Sequence, residues 1–349
     1  MNLIKPKRLR PGDTVAIVSL SSGMLGDKEF IHKYYLARER LEGQYGLRVV
    51  AMPNALRGRE YLDLHPEARA ADFMDAFRDD SIRAVISSIG GDDTIRLLPY
   101  VDFDVLRAHP KIFTGFSDTT TNHFMLHKAG VISYYGPCVM CNFSEYVRIN
   151  EYTDAMIRKT FFHPEPTLDI PPAPYWYDDE DERIWWKEEN MNTSKPYHPD
   201  DRGYEVIQAG PPAEGELLGG CIDVFPEFIG TVLWPEREDW EGKLLMVETS
   251  EEDMPPEYLT WYLRGLAAQG IFDAVKGVLV GRPARRSRWE DYKAAYRRVI
   301  GLECGRPDLP ILGNLNFGHA DPIGVFPLGV RARMDTAART LTLLESATE

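Results

Sequence analysis

The chain has 349 residues, 44% of them hydrophobic, which excludes wholesale disorder and is enough for cores in about two domains. A formal net charge of −14 argues against a nucleic-acid partner, because binding a phosphate backbone calls for clustered Lys and Arg. The basic start MNLIKPKRLRPGDTV has no apolar segment behind it, and no run reaches the roughly 18 apolar residues of a membrane span, so neither a signal peptide nor a membrane partner is expected and the location is expected to be cytoplasmic.

After a turn at Arg10-Pro11-Gly12-Asp13, residues 14–20 (TVAIVSL) have the apolar, β-branched composition of a buried parallel strand. A helix is predicted over 30–41, a strand over 47–52, a helix over 66–77 and a third strand over 83–89. That third strand runs into Gly90-Gly91-Asp92-Asp93 and a short helical stretch at 94–98. Next comes KIFTGFSDTT at 111–120: a β-prone Ile112-Phe113-Thr114, a break at Gly115, then Ser117-Asp118 and a helix over 122–128. Strand, sharp turn with a serine, and helix is the layout of a nucleophile elbow, and it sets backbone N–H groups where negative charge is stabilised. Thr119 stands where G-x-S-x-G has its second glycine, so local sequence alone favours a plainer role for Ser117 or Asp118 as a helix N-cap. A strand at 131–135 follows, and the alternation of strands and helices to about residue 163 predicts βαβ units on a parallel sheet.

Residues 164–215 change character, with Tyr175-Trp176-Tyr177, an acidic run at 178–182 and Trp185-Trp186 in a proline-rich background. They read as linker and long functional loop, the acidic run as a solvated part of it. A second α/β unit follows: a strand at 243–247 ending in Glu248, a helix at 256–268, a strand at 275–280 and a helix at 292–300. A strand at 309–315 leads to Asn316-Phe317-Gly318-His319-Ala320-Asp321-Pro322, and 330–334 with 340–344 read as a terminal hairpin. The expected division is 1–165, 166–215 and 216–349. Cys138, Cys141, Cys221 and Cys304 are too few for a disulfide framework in a chain of this length. Cys138-Val-Met-Cys141 has C-x-x-C spacing, but no second pair or flanking His supports a metal site, so free buried thiols are expected and neither metal nor cofactor is called for.

Ser117, Glu248 and His319 each follow a predicted strand, and in α/β sheets ligands bind beyond the carboxyl ends of strands. A serine needs a base to take its proton, histidine suits that role near neutrality, and a carboxylate fixes the histidine tautomer. Spacing alone also allows Glu248 to be an ion-paired acid and His319 a solvated loop residue.

Taken together, Arg10-Pro11-Gly12-Asp13-Thr14-Val15, Ile89-Gly90-Gly91, Gly115-Phe116-Ser117-Asp118, Leu218-Gly219-Gly220, Glu248-Thr249-Ser250-Glu251, Val280-Gly281-Arg282-Pro283 and Asn316–Pro322 resemble the serine LD-carboxypeptidase family, and within it the microcin C immunity peptidase branch. The resemblance implies a flavodoxin-like parallel-sheet N-terminal domain carrying the nucleophile Ser117, and a smaller C-terminal α/β domain carrying Glu248 and His319. It implies His319 as general base then acid, Glu248 as its orienter, and an oxyanion hole at the backbone N–H groups of Gly91 and Asp118. Family members often carry Asn where this chain has Cys221. One branch trims D-Ala from murein tetrapeptides; the other cleaves the amide of aminoacyl- or peptidyl-adenylate-like compounds and so gives antibiotic resistance of the microcin C type. The loop with Trp185-Trp186 looks like the second branch, which stacks a base on tryptophan for about 1–3 kcal/mol per contact, although the two rings could equally hold the loop in place. The expectation is a cofactor-free serine peptidase or amidase, a homodimer, acting on an aminoacyl- or peptidyl-nucleotide. The alternatives are a murein LD-carboxypeptidase and a non-catalytic module that binds a nucleotide or peptide.

Overall fold

The computed structural model describes residues 3–177 and 184–349, so the acidic run at 178–182 lies outside the described residues. The first sheet takes β1 (Thr14–Val18), β2 (Arg48–Ala51), β3 (Ile82–Ser87), β4 (Ile112–Gly115) and β5 (Ser133–Tyr135). They stand in the order β5-β4-β3-β1-β2 with every neighbouring pair parallel. This is the flavodoxin order, whose ligand crevice lies beyond the carboxyl ends of the strands. The strands are near-continuous apolar runs because helices cover both faces. On one face Phe73 of the helix Pro66–Arg78 meets Phe113 of β4 at 5.7 Å; on the other, Tyr34, Ala37 and Leu41 of the helix Ile31–Tyr45 are buried. Gly46, at φ 67°, closes that helix in the left-handed conformation that glycine adopts without strain.

The other sheet is assembled from β6 (Leu168–Asp169), β9 (Glu205–Gln208), β10 (Ala213–Cys221), β11 (Leu244–Glu248), β12 (Gly277–Gly281), β13 (Ile311–Leu315), β15 (Arg331–Asp335) and β16 (Thr340–Leu343). β10 to β13 are parallel, and β15 with β16 forms the antiparallel hairpin expected at the end of the chain. A two-stranded ribbon, β7 (Tyr175–Trp176) with β8 (His198–Pro199), stands apart. Segment 166–215 differs from the linker reading. Its β6 and β9 are the two edge strands of this sheet, and Tyr204 and Ile207 are buried. Edge strands of two and four residues in a proline-rich background carry too little periodicity to be read as strands.

Two features bind the sheets together. β14 (Phe326–Leu328) returns to pair antiparallel with β5, so the C-terminal part of the chain completes the first sheet as a sixth strand. Phe124, on the helix Thr120–Ala129 behind the elbow, packs among Phe225, Phe228, Trp234 and Trp240 at centroid distances of 4.8–6.4 Å.

Candidate active site

Ser117 sits at φ 65°, the left-handed region that costs a non-glycine residue on the order of 1 kcal/mol or more, directly after β4. Tertiary bonds hold it there. Its N–H donates to Tyr135 Oη (3.1 Å), its carbonyl accepts from Thr120 Oγ1 (2.7 Å), and the carbonyl of Gly115 accepts from His123 Nε2 (3.0 Å). Burial pushes His123 down to about 4, so the ring is neutral: Nε2–H donates to Gly115 and Nδ1 accepts from Ser133 Oγ (2.8 Å). The N-cap reading does not hold, because no side chain caps the helix that follows. Asp118 is fully buried and instead accepts from the N–H groups of Asp93 (3.0 Å) and Thr94 (2.9 Å), tying the glycine loop after β3 to the elbow. Burial pushes the Asp118 carboxyl up, against those donors.

That loop comes close. A methyl group on Gly90 would lie 2.6 Å from Ser117 Cβ and 3.1 Å from Asp118 N. Gly91 follows at φ 151°, a conformation for glycine alone, with Ser21 and Ser22 against the space a side chain would take. The two expected oxyanion donors, Gly91 and Asp118, therefore flank the same serine, and Gly90 supplies the close approach.

Glu248, at the buried end of β11, receives three hydrogen bonds. Oε2 accepts from His319 N–H (3.2 Å) and Nδ1 (2.8 Å), and Oε1 accepts from Tyr135 Oη (2.6 Å). Gly318 precedes His319 at φ 77°, and any side chain there would collide with the Glu248 carboxylate. Tyr135 thus bonds both the elbow and the carboxylate, a role sequence reading missed because its position looks like ordinary buried strand. The pair is placed against the elbow by backbone contact: Cys221, opposite Glu248 in register, donates its N–H to Thr120 Oγ1 (3.0 Å). The His319 ring also lies edge-on to Phe116 at 5.1 Å.

One expected contact is not formed. His319 Nε2 faces Glu251 Oε2 at 3.0 Å rather than Ser117 Oγ. Burial alone would lower the affinity of the imidazole for a proton, but Glu248 and Glu251 on either side outweigh it and hold His319 well above its usual range. The pair Glu248–His319 is assembled, and Ser117 lines the same cavity without a bond to it. Glu251 was read only as part of a motif, since an acid in a loop carries no local signal.

Ser117, Gly90, Gly91 and His319 line a cavity of about 650 Å³ that also reaches Lys33, Tyr146 and the tryptophans. Trp185 is buried, and its indole N–H donates to Tyr177 Oη. Trp186 is partly exposed, edge-on to Phe30 at 6.0 Å, with Lys33 Nζ 5.9 Å from its ring. Burial lowers Lys33 to about 7; burial, then the charge of Asp321, raises nearby Glu145 to about 7.

Among the described residues one group could approach a metal: donor atoms of Cys221, Glu248 and His319 lie within 4.8 Å of one another. Chain spacing could not show it, since the three come from three separate segments. The donors suit a hydrogen-bonded pair better than an ion, because Glu248 is already engaged by His319 and Tyr135. Burial, with Glu248 and Asp223 adding to it, keeps Cys221 a thiol. All four cysteines are free as expected, but only Cys138 and Cys221 are buried; Cys141 and Cys304 are partly exposed.

Residues 15–136 match the LD-carboxypeptidase N-terminal domain and residues 214–334 the LD-carboxypeptidase C-terminal domain. An MccF-like protein from Streptococcus pneumoniae, solved in complex with AMP, is 35% identical and superposes with a TM-score of 0.87 over 95% of this chain and 98% of that one. A Bacillus subtilis (strain 168) protein named as a probable murein peptide carboxypeptidase is 28% identical over 97% of this chain and 94% of its own length. The microcin C7 self-immunity protein MccF of Escherichia coli is 24% identical over 79% of this chain and 78% of its own. A structure of MccF with aspartyl sulfamoyl adenosine shares the fold, with a TM-score of 0.84 at 21% identity over 99% of this chain and 100% of that one.

Proposed function

The chain belongs to the LD-carboxypeptidase family, and from that premise we propose that it is a serine hydrolase cleaving the amide of aminoacyl- or peptidyl-adenylate-like compounds, with Ser117 as nucleophile. Ser117 Oγ attacks the scissile carbonyl as His319 Nε2 takes its proton. Glu248 holds Nδ1–H and stabilises the imidazolium. The backbone N–H groups of Gly91 and Asp118 receive the developing oxyanion, where loss of one such donor typically costs about 3 kcal/mol. His319 then gives the proton to the leaving nitrogen, and water releases the acyl group by the same steps.

The observation that carries this reading is Ser117 at φ 65° over the same cavity as the buried Glu248–His319 pair. A strained serine beside an oriented imidazole is the arrangement of an activated nucleophile. The substrate class is supported by relatives solved with AMP and with aspartyl sulfamoyl adenosine, and by a cavity of about 650 Å³, large enough for an aminoacyl nucleotide. In the same reading the protein is a cytoplasmic homodimer, and sedimentation velocity would measure its oligomeric state.

The runner-up is a murein tetrapeptide LD-carboxypeptidase, which the Bacillus subtilis relative favours. The test is to offer the protein an aminoacyl-sulfamoyl-adenosine and an L,D-tetrapeptide. Hydrolysis of the first and not the second is expected, and the reverse would replace this reading with the runner-up. Ser117→Ala should abolish turnover while ligand binding persists. A serine-directed reagent should form an adduct at Ser117 in the wild type; failure to do so, with no turnover of either compound, would favour a binding module.

A further inference from the structure

His319 and Asp321 belong to one closed loop. Asn316, at its start, donates from Nδ2 to the carbonyl of Pro322 (3.0 Å), and the Asn316 carbonyl accepts from Gly324 N–H (2.7 Å). A loop bridged in this way shifts as a piece, so a pull on Asp321 reaches His319 two residues back. The hydrogen bonds that Asp321 accepts among the described residues come from a single stretch of chain. Its backbone carbonyl accepts from Tyr177 N–H (2.9 Å), its Oδ2 pairs with Lys195 Nζ, and its Oδ1 accepts from the Tyr197 hydroxyl (2.8 Å). Tyr177 precedes Trp185 and Trp186, and Lys195 and Tyr197 follow them. The stretch that carries the two tryptophans therefore has both of its ends on Asp321. Those ends are packed as well as bonded: the Tyr177 and Tyr197 rings lie 6.2 Å apart, Lys195 Nζ is 5.3 Å from the Tyr177 ring, and Tyr177 Oη accepts from the Trp185 indole N–H. The Lys195 and Asp321 side chains are 16% and 18% exposed, so water competes little for the pair. Trp186, His319 and Asp321 all line the cavity that holds Ser117.

We propose that Asp321 is a positioning residue that ties the tryptophan stretch to the base, so that seating a nucleoside against the tryptophans sets His319 for Ser117. This rests on the proposed hydrolase function and on a base stacking at Trp186. Binding energy from a part of the substrate remote from the scissile bond raises kcat only when it is used to orient the reacting groups. Asp321 supplies the route. A nucleoside held by the tryptophans fixes the stretch between Tyr177 and Tyr197, that stretch fixes Asp321 at three acceptors, and the closed loop passes the constraint to His319. The Tyr197 hydroxyl is also 2.6 Å from Glu145 Oε1, whose partner oxygen accepts from Asn150 N–H (3.1 Å), so the same attachment is braced against the first domain. The device concerns the nucleoside and not the acyl group, and it serves an aminoacyl and a peptidyl substrate alike.

The experiment uses two substrates with the same acyl group and the same sulfamoyl leaving group: an aminoacyl-sulfamoyl-adenosine, and the analogue in which a methyl group replaces the adenosine. The wild type should turn over the adenosine compound with a lower KM and with a kcat about tenfold or more higher, since a misplacement near 1 Å at a reacting centre costs on the order of a hundredfold. In Asp321→Ala the kcat for the adenosine compound should fall to within about threefold of the methyl compound, while its KM stays within about threefold of wild type because the tryptophans still bind the nucleoside. Asp321→Asn keeps an acceptor for Tyr197 and loses the ion pair with Lys195, and should fall between. A merely structural role for Asp321 would lower kcat for both compounds alike and keep their ratio. A retained ratio in Asp321→Ala, or a wild type with the same kcat for both compounds, would overturn this inference while leaving the hydrolase reading intact. If the wild type turned over neither, the hydrolase reading itself would fall. Should Asp321→Ala fail to fold with Lys195 unpaired, Tyr197→Phe spares the ion pair and carries the same test: its kcat ratio should drop about threefold or more, and an unchanged ratio would overturn the inference equally.

Discussion

Gly90→Ala isolates the close approach at the elbow. The backbone of Gly90 is outside the left-handed region, so alanine introduces no strain of its own. What it introduces is a methyl 2.6 Å from Ser117 Cβ and 2.8 Å from its Oγ, whereas ordinary contact begins near 3.4 Å. Relief requires the elbow and the loop to separate by ~0.8 Å, and a misplacement near 1 Å at a reacting centre can lower the rate on the order of a hundredfold. The expected result is a fall of about that size in kcat/KM, measured as release of sulfamoyl adenosine, with a melting temperature within a few degrees of wild type because the nearest atoms belong to one short turn. Gly91→Ala is the contrasting variant: at φ 151° and against Ser21 it should lose stability as well as activity. A Gly90→Ala protein that kept kcat/KM within threefold of wild type would refute the reasoning, since the nucleophile would then tolerate displacement that no serine hydrolase should.

Tyr135→Phe removes the hydroxyl that donates to Glu248 and accepts from Ser117 N–H; a hydrogen bond to a charged group is worth about 1.5–3 kcal/mol, so kcat should fall roughly ten- to a hundredfold with little change in KM, and steady-state kinetics checks this. His123 has its proton affinity lowered to about 4 by burial, so the unfolded chain binds more protons than the folded one between that value and the ordinary 6.5. Stability should rise with pH across this window and be lost on acidification, by up to about 3 kcal/mol from this group, read as a urea midpoint that drops from pH 7 to pH 4.5 and drops less in His123→Gln. Trp186→Ala should raise KM for the adenylate substrate about tenfold while sparing an L,D-tetrapeptide, if one base contact of about 1–3 kcal/mol is lost. Trp185→Ala, which takes away a buried ring bonded to Tyr177, should impair both substrates through the loop, and equal effects of the two variants on both substrates would count against stacking on Trp186.

How far the site could be read from sequence depended on whether its signal was local. At Ser117 strand, glycine and helix follow one another within ten residues, yet local sequence favoured an N-cap and the elbow reading came through the motif resemblance; the strands of the first sheet were legible because each is a continuous apolar run. Glu248 and His319 were legible through motif resemblance, and their bond at 2.8 Å unites positions 71 residues apart. Tyr135 was not legible: a tyrosine in Ser133–Tyr135 looks like any buried strand residue, and only the fold shows its hydroxyl between two halves of the site. Nor was the engagement of His319 by Glu251, since side-chain direction in a loop leaves no periodic trace. β6 and β9 went unread because an edge strand gains its identity from the partner it pairs with, which lies far along the chain.

Ser117 and His319, the proposed nucleophile and base, follow strands of different sheets, so their spacing has to be set by contacts between the sheets. Those contacts are directed at the elbow itself. Thr120 Oγ1 accepts from Cys221 N–H while also donating to the Ser117 carbonyl, and a side chain on Gly220 would strike Thr120. Tyr135 spans from Ser117 N–H to Glu248, and β14 carries the chain from just beyond His319 back into the first sheet. With both backbones pinned within one hydrogen bond of Ser117, closing the gap between Ser117 and His319 by sliding one sheet over the other would break several buried bonds, each costly to leave unmade. Glu251, whose side chain is 35% exposed where Glu248 is fully buried, faces the cavity that Ser117 also lines. The fold thus buries the carboxylate that orients His319 Nδ1 and sets the second acid on the wall of the cavity.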